Sequence, residues 1–101
     1  MKALFICNQN QHRSKTAEEL FKSEFEAKSA GLFNEKPVSE AQIEWADTIF
    51  VMEEEQRTEL AKRFPKQYMK KRILNLNIRD VFSYNQPELV SQLKSKIRDF
   101  I

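Results

Sequence analysis

Short apolar runs alternate with segments of helical spacing along the chain, and this alternation limits the fold more than any other feature. Residues 3–6, "ALFI", are the length of a buried strand. Over 14–26, Ala17, Leu20, Phe21 and Phe25 recur on one helical face. "AKSA" reads as a short strand ending at Gly31, the only glycine. Ser39, with Gln42 three residues on, has the form of a capping box and opens a short helix carrying Trp45. "TIFVM", 48–52, has the β-branched and aromatic content of a strand. "EEEQRTELAKRF", 53–64, puts acids in a first helical turn and bases in the last, and Pro65 is expected to stop it. "RILNL", 72–76, gives a fourth strand. A last helix starts near Pro87, a good first-turn residue, with Leu89, Leu93, Ile97 and Ile101 on one stripe.

The order β-α-β-α-β-α-β-α predicts an α/β fold with a parallel sheet covered by helices on both faces, a three-layer sandwich. The 101 residues suit one domain, 1–101, with one core. Such sheets bind ligands beyond the carboxyl ends of their strands. The loop 7–13, the segment after Gly31, the acidic stretch after Met52 and the loop 77–85 are expected at that edge.

Apolar residues make up 41% and charged residues 32%, the balance of a folded soluble chain rather than a disordered one. Seventeen basic against fifteen acidic residues give +2, too mild to argue for nucleic acid. The basic run 62–72 holds Phe64 and Tyr68, but it reads better as a solvated helix end and loop. One cysteine allows no intrachain disulfide and no multi-cysteine metal site. No metal or cofactor is expected. A free thiol suits a reducing cytoplasm. The run in "MKALFIC" is too short for a signal peptide, and no stretch approaches the ~20 apolar residues that span a bilayer.

The lone thiol, Cys7, ends the first strand and begins "CNQNQHRS". A loop from a strand into a helix N-terminus aims several backbone N–H groups at one point, and the helix dipole adds positive potential. Residues Asn8, Gln9, Asn10, Gln11, His12, Arg13 and Ser14 would thus form an anion cradle with Cys7 at its base. That field favours the thiolate, the nucleophilic form. The planar fork of Arg13 can hold two phosphoryl oxygens at once. Ser14 can donate to the sulfur. The set suits attack of sulfur on phosphorus. The plainer alternative is a buried structural cysteine near a surface arginine.

"CNQNQHRS" followed by "AE" resembles the signature of the low-molecular-weight protein tyrosine phosphatase family, with Cys7, Asn10, Arg13, Ser14, Ala17 and Glu18 in register. "KSAGL" and "WADTIFVM" are similar to later segments of that family. The resemblance implies a four-stranded parallel sheet of order 2-1-3-4. It implies Cys7 as nucleophile through a phosphocysteine, Arg13 as phosphoryl binder, Asn10 as a left-handed shaper of the loop, and Ser14 as stabiliser of the thiolate. It also implies a general acid from a C-terminal loop. Asp80 in "NIRDVFSY" is the candidate, with Phe82 and Tyr84 as pocket walls for an aromatic leaving group. A plain turn aspartate is the competing reading. Glu53 to Glu55 are read instead as a helix N-terminal cluster.

The chain departs from the family pattern at Val81, where proline follows the acid, at Gln9, where glycine is usual, and at His12, where many members carry a second cysteine. It is also short for the family. His12 is expected to bond within the loop or, if protonated, to favour the thiolate. The expected activity is hydrolysis of a phosphate monoester, with protein phosphotyrosine the first substrate class and a small phosphomonoester the second. No nucleic-acid or membrane partner is expected, and the chain is expected to act as a monomer or weak dimer. Two alternatives stay open: arsenate reduction with an external thiol, and a phosphate- or phosphoprotein-binding module without turnover.

Overall fold

Residues 1–100 are described by a computed structural model. Four parallel strands, β1 (Lys2–Cys7), β2 (Glu26–Gly31), β3 (Thr48–Val51) and β4 (Arg72–Asn75), form one sheet in the order β2-β1-β3-β4. β1 lies centrally, with Cys7 paired to Gly31 on one side and Phe5 to Phe50 on the other. Five helices cover the sheet: α1 (Arg13–Phe21), α2 (Glu40–Trp45), α3 (Glu54–Arg63), α4 (Pro65–Lys70) and α5 (Pro87–Arg98).

Side chains alternate across a strand, so β1 feeds two cores. Ala3, Phe5 and Cys7 point to the layer holding Ala17 and Phe21 of α1 and Leu89, Leu93 and Ile97 of α5. Leu4 and Ile6 point to the layer holding Ile43 of α2 and Leu60 of α3. Phe5 stacks on Phe50 at 5.2 Å and on Phe21 at 5.8 Å between ring centroids. Each such fully buried side chain contributes about 1.5–3 kcal/mol. Cys7 is therefore delivered to the α1 face by strand parity alone.

Two boundaries differ from the sequence reading. α1 ends at Phe21 rather than near residue 26. Glu24 and Phe25 still donate to the Phe21 carbonyl, but Glu26 must donate to Met1 to start β2. Phe25 keeps its packing, 5.6 Å from Phe21, without helical geometry. Pro65 does end α3, but it also opens α4 as its first residue, where its missing N–H is no loss. The stripe residue Ile101 lies outside the described residues. No helix is long and apolar enough to cross a membrane among the described residues.

Gly31 is required by close approach. A Cβ there would stand 2.9 Å from the Asn8 carbonyl oxygen and 2.8 Å from Asn34 Oδ1. That carbonyl accepts from the N–H groups of Leu32 and Phe33, tying the β2 end to the start of the 7–13 loop.

Candidate active site

Cys7 is buried at the carboxyl end of β1. The N–H of Asn10 donates to its Sγ at 3.2 Å, and Ser14 Oγ lies 2.9 Å from it. Ser14 Oγ donates its one proton to Asn10 Oδ1 at 2.7 Å, so in this arrangement it does not donate to the sulfur as the sequence suggests. Asn10 has φ 56°, the left-handed conformation that asparagine tolerates and that turns its N–H back onto the sulfur. Gln9 keeps a negative φ, so glycine's conformational freedom is not needed there. α1 begins with His12 as its N-cap, without a side-chain cap and without an acid in its first turn. Its free N–H groups and dipole leave positive potential beside the sulfur.

Arg13, fully buried, donates from Nη1 to Glu53 Oε1 and to the Ile78 carbonyl, each at 2.7 Å. Its Nε lies 3.7 Å from Asp80 Oδ1. Among the described residues the Nε and Nη2 edge donates no hydrogen bond, so it can face an anion. A cavity of about 440 Å³ opens over these groups. Cys7 and Arg13 form its base, Gln9, Gln11 and His12 one side, and Asp80, Val81, Phe82 and Ser83 the other. Asp80 is exposed at the rim.

Cys7, Gln9, Gln11, His12, Arg13 and Asp80 thus converge, while Asn8, Asn10 and Ser14 stand behind the wall as braces. Asn8 Oδ1 accepts from Gln56 Nε2 at 3.1 Å. Tyr84 does not line the cavity, contrary to the sequence reading. It lies along an adjacent groove with Gln11, Lys15, Glu18 and Glu19, because its N–H rather than its ring is directed at the loop. His12 does not bond within its own loop; its Nδ1 accepts from the Tyr84 N–H at 3.1 Å.

Two contributors were missed. Glu53 is the N-cap of α3, as an acidic helix start should be, but its carboxylate also pairs with Arg13. Buried Gln56 accepts from the N–H groups of Met52 and Glu53 with Oε1 while its amide holds Asn8. A glutamine three residues after a helix N-cap was the one available signal. Nothing in the run of three acids distinguishes Glu53.

A cysteine sulfur beside an open helix N-terminus, with an arginine fork and a carboxylate at one cavity, is an arrangement that can hold an anion against a thiol on an α/β sheet. The chain belongs to the low molecular weight phosphotyrosine protein phosphatase family, whose profile matches residues 2–98. Members are cysteine-based phosphatases that act on phosphorylated substrates. No curated protein matches by sequence. Among solved structures, a YwlE mutant from Bacillus subtilis has TM-score 0.79 and 21% identity, over 99% of this chain and 95% of that one. The YwlE arginine phosphatase from Geobacillus stearothermophilus has TM-score 0.69 and 19% identity, over 98% and 94%. The tyrosine phosphatase Wzb from Escherichia coli K30, in complex with phosphate, has TM-score 0.79 and 17% identity, over 98% and 94%. At these identities the likeness is one of fold.

Proposed function

We propose that the chain hydrolyses the phosphate monoester of a phosphorylated protein, with phosphotyrosine as the side chain cleaved, through a phosphocysteine intermediate. The observation that carries this reading is the buried Cys7 sulfur, held by Asn10 and Ser14, at the base of a cavity that Arg13 and Asp80 also line. The Cys7 thiolate attacks phosphorus, and the bond to the leaving oxygen breaks as Asp80 gives that oxygen its proton. Arg13 and the loop N–H groups hold the phosphoryl oxygens as their charge is redistributed. Asp80, now a carboxylate, takes a proton from water, which attacks phosphorus. The P–S bond breaks, phosphate leaves and the thiolate returns.

Val81 and Phe82 supply the apolar wall that an aromatic ring would use. We place the protein in the cytoplasm, as a monomer or weak dimer and without a cofactor. Cys7→Ser is expected to abolish release of p-nitrophenol from its phosphate ester while circular dichroism stays native. Full activity in the folded variant would sink the mechanism. Peptides carrying phosphotyrosine and phosphoarginine test the substrate class, and preference for phosphoarginine would replace the phosphotyrosine assignment.

A further inference from the structure

We propose that His12 is a positioning residue whose ring fixes the far end of the loop carrying Asp80, and so sets where the carboxyl stands over the cavity. This rests on the reading of Asp80 as the general acid. The near end of that loop is held by N–H groups of Leu76 and Ile78 donating to the Val51 and Met52 carbonyls, each at 2.8 Å. The Ile78 carbonyl in turn accepts from Arg13. The far end is held from α1. Tyr84 N–H donates to His12 Nδ1 at 3.1 Å and Asn85 N–H to Thr16 Oγ1 at 2.8 Å. Thr16 Oγ1 donates back to the His12 carbonyl at 2.7 Å, closing the clasp. Asn85 has φ 58°, a left-handed turn at the clasp itself.

Between these anchors, the backbone of 79–82 makes no hydrogen bond within the described residues. Its side chains add two ties without hydrogen-bond direction, the half-buried Phe82 ring on the core and the 3.7 Å approach of Asp80 Oδ1 to Arg13 Nε. Adjacent residues of the phosphate loop, His12 and Arg13, therefore hold opposite ends of the segment that bears the acid. Nδ1 accepts, so the ring proton sits on Nε2. A side chain without an acceptor at that point leaves the far end on the Asn85–Thr16 bond alone.

The test compares His12→Phe, His12→Asn, Asp80→Asn and the double variant His12→Phe/Asp80→Asn on aryl phosphates of graded leaving group. Asp80→Asn should lower kcat/KM on phenyl phosphate roughly a hundredfold or more. His12→Phe should lower it about tenfold, since a displaced catalytic group loses rate steeply with distance. The His12→Phe loss should grow with the basicity of the leaving phenol. His12→Asn, whose amide oxygen can take the place of Nδ1, should recover most of the loss. In the Asp80→Asn background, His12→Phe should cost nothing more. A His12→Phe loss equal for all leaving groups, or additive with Asp80→Asn, overturns the positioning role. An impaired Asp80→Asn beside an unimpaired His12→Phe overturns it alone, whereas a fully active Asp80→Asn removes the acid and the positioning together.

Discussion

Helices α1 and α3 both begin at the carboxyl edge of the sheet, yet their first turns are furnished in opposite ways. α3 follows Glu53 with Glu54 and Glu55 in its first turn. α1 has no acid there and no side-chain cap; it opens with Arg13 and Ser14. Every helix N-terminus presents unpaired N–H groups and positive potential. α3 meets that potential with carboxylates of its own. α1 leaves it to the cavity above Cys7, so the same physical feature is filled in one helix and left open in the other. The two ends are joined by the Arg13–Glu53 pair, so the filled terminus also steadies the open one.

Glu53→Gln tests that junction and should have the largest effect of the three changes below. It removes the charge facing a buried guanidinium, and the loss should be about 1.5–3 kcal/mol in urea unfolding, the range for hydrogen bonds to charged groups. Phosphate supplies a new negative partner for Arg13. Added phosphate should therefore stabilise the variant more than it stabilises the wild type. Equal stabilisation of both proteins would show that Glu53 and the bound anion do not share Arg13.

Lys15→Glu gives α1 the acid it lacks. Lys15 is exposed in the first turn and shares a groove with Glu18 and Glu19. The gain from the dipole is offset by repulsion from those two acids, so stability should move by less than about 0.5 kcal/mol. Competitive inhibition by phosphate should weaken roughly fivefold, about 1 kcal/mol of added repulsion. Unchanged inhibition would mean that the open terminus does not contribute to anion binding.

The order of the elements was legible because period-2 and period-3.6 patterns are local and strong, and the α/β layering followed from it. The geometry of the Cys7 to Ser14 loop was legible because its parts lie within eight consecutive residues, and Asn10 adopted the left-handed dihedral expected of it. What sequence could not supply was contact between distant segments. Arg13 meets Glu53 forty residues away and Ile78 sixty-five away. His12 meets Tyr84 seventy-two residues away. The ring of Tyr84 was expected in the pocket because aromatic residues often wall ligands; instead its backbone N–H meets His12 and the ring turns aside. Pro65 was read as a stop, which it is for α3, but its fixed φ suits a first helical turn equally well. Sequence alone does not say which use prevails.

A third helix start grades the contrast between α1 and α3. α5 opens with Pro87 and Glu88, an acid in the first turn and no side-chain cap from Gln86. The Glu88 carboxyl is held below the usual carboxylate range, first by its own backbone N–H and then by the Gln86 amide, which donates to it at 3.0 Å. A carboxyl whose folded value lies below its unfolded one favours the native state above the unfolded value and loses that advantage as pH falls through the folded one. Glu88→Gln should therefore be slightly less stable than wild type at neutral pH, with the difference closing in acid. Urea unfolding of both proteins at neutral and acid pH measures it. A gap that persists unchanged in acid would assign the effect to the shape of the side chain, and would remove charge as the common reason why α3 and α5 fill their N-termini where α1 does not.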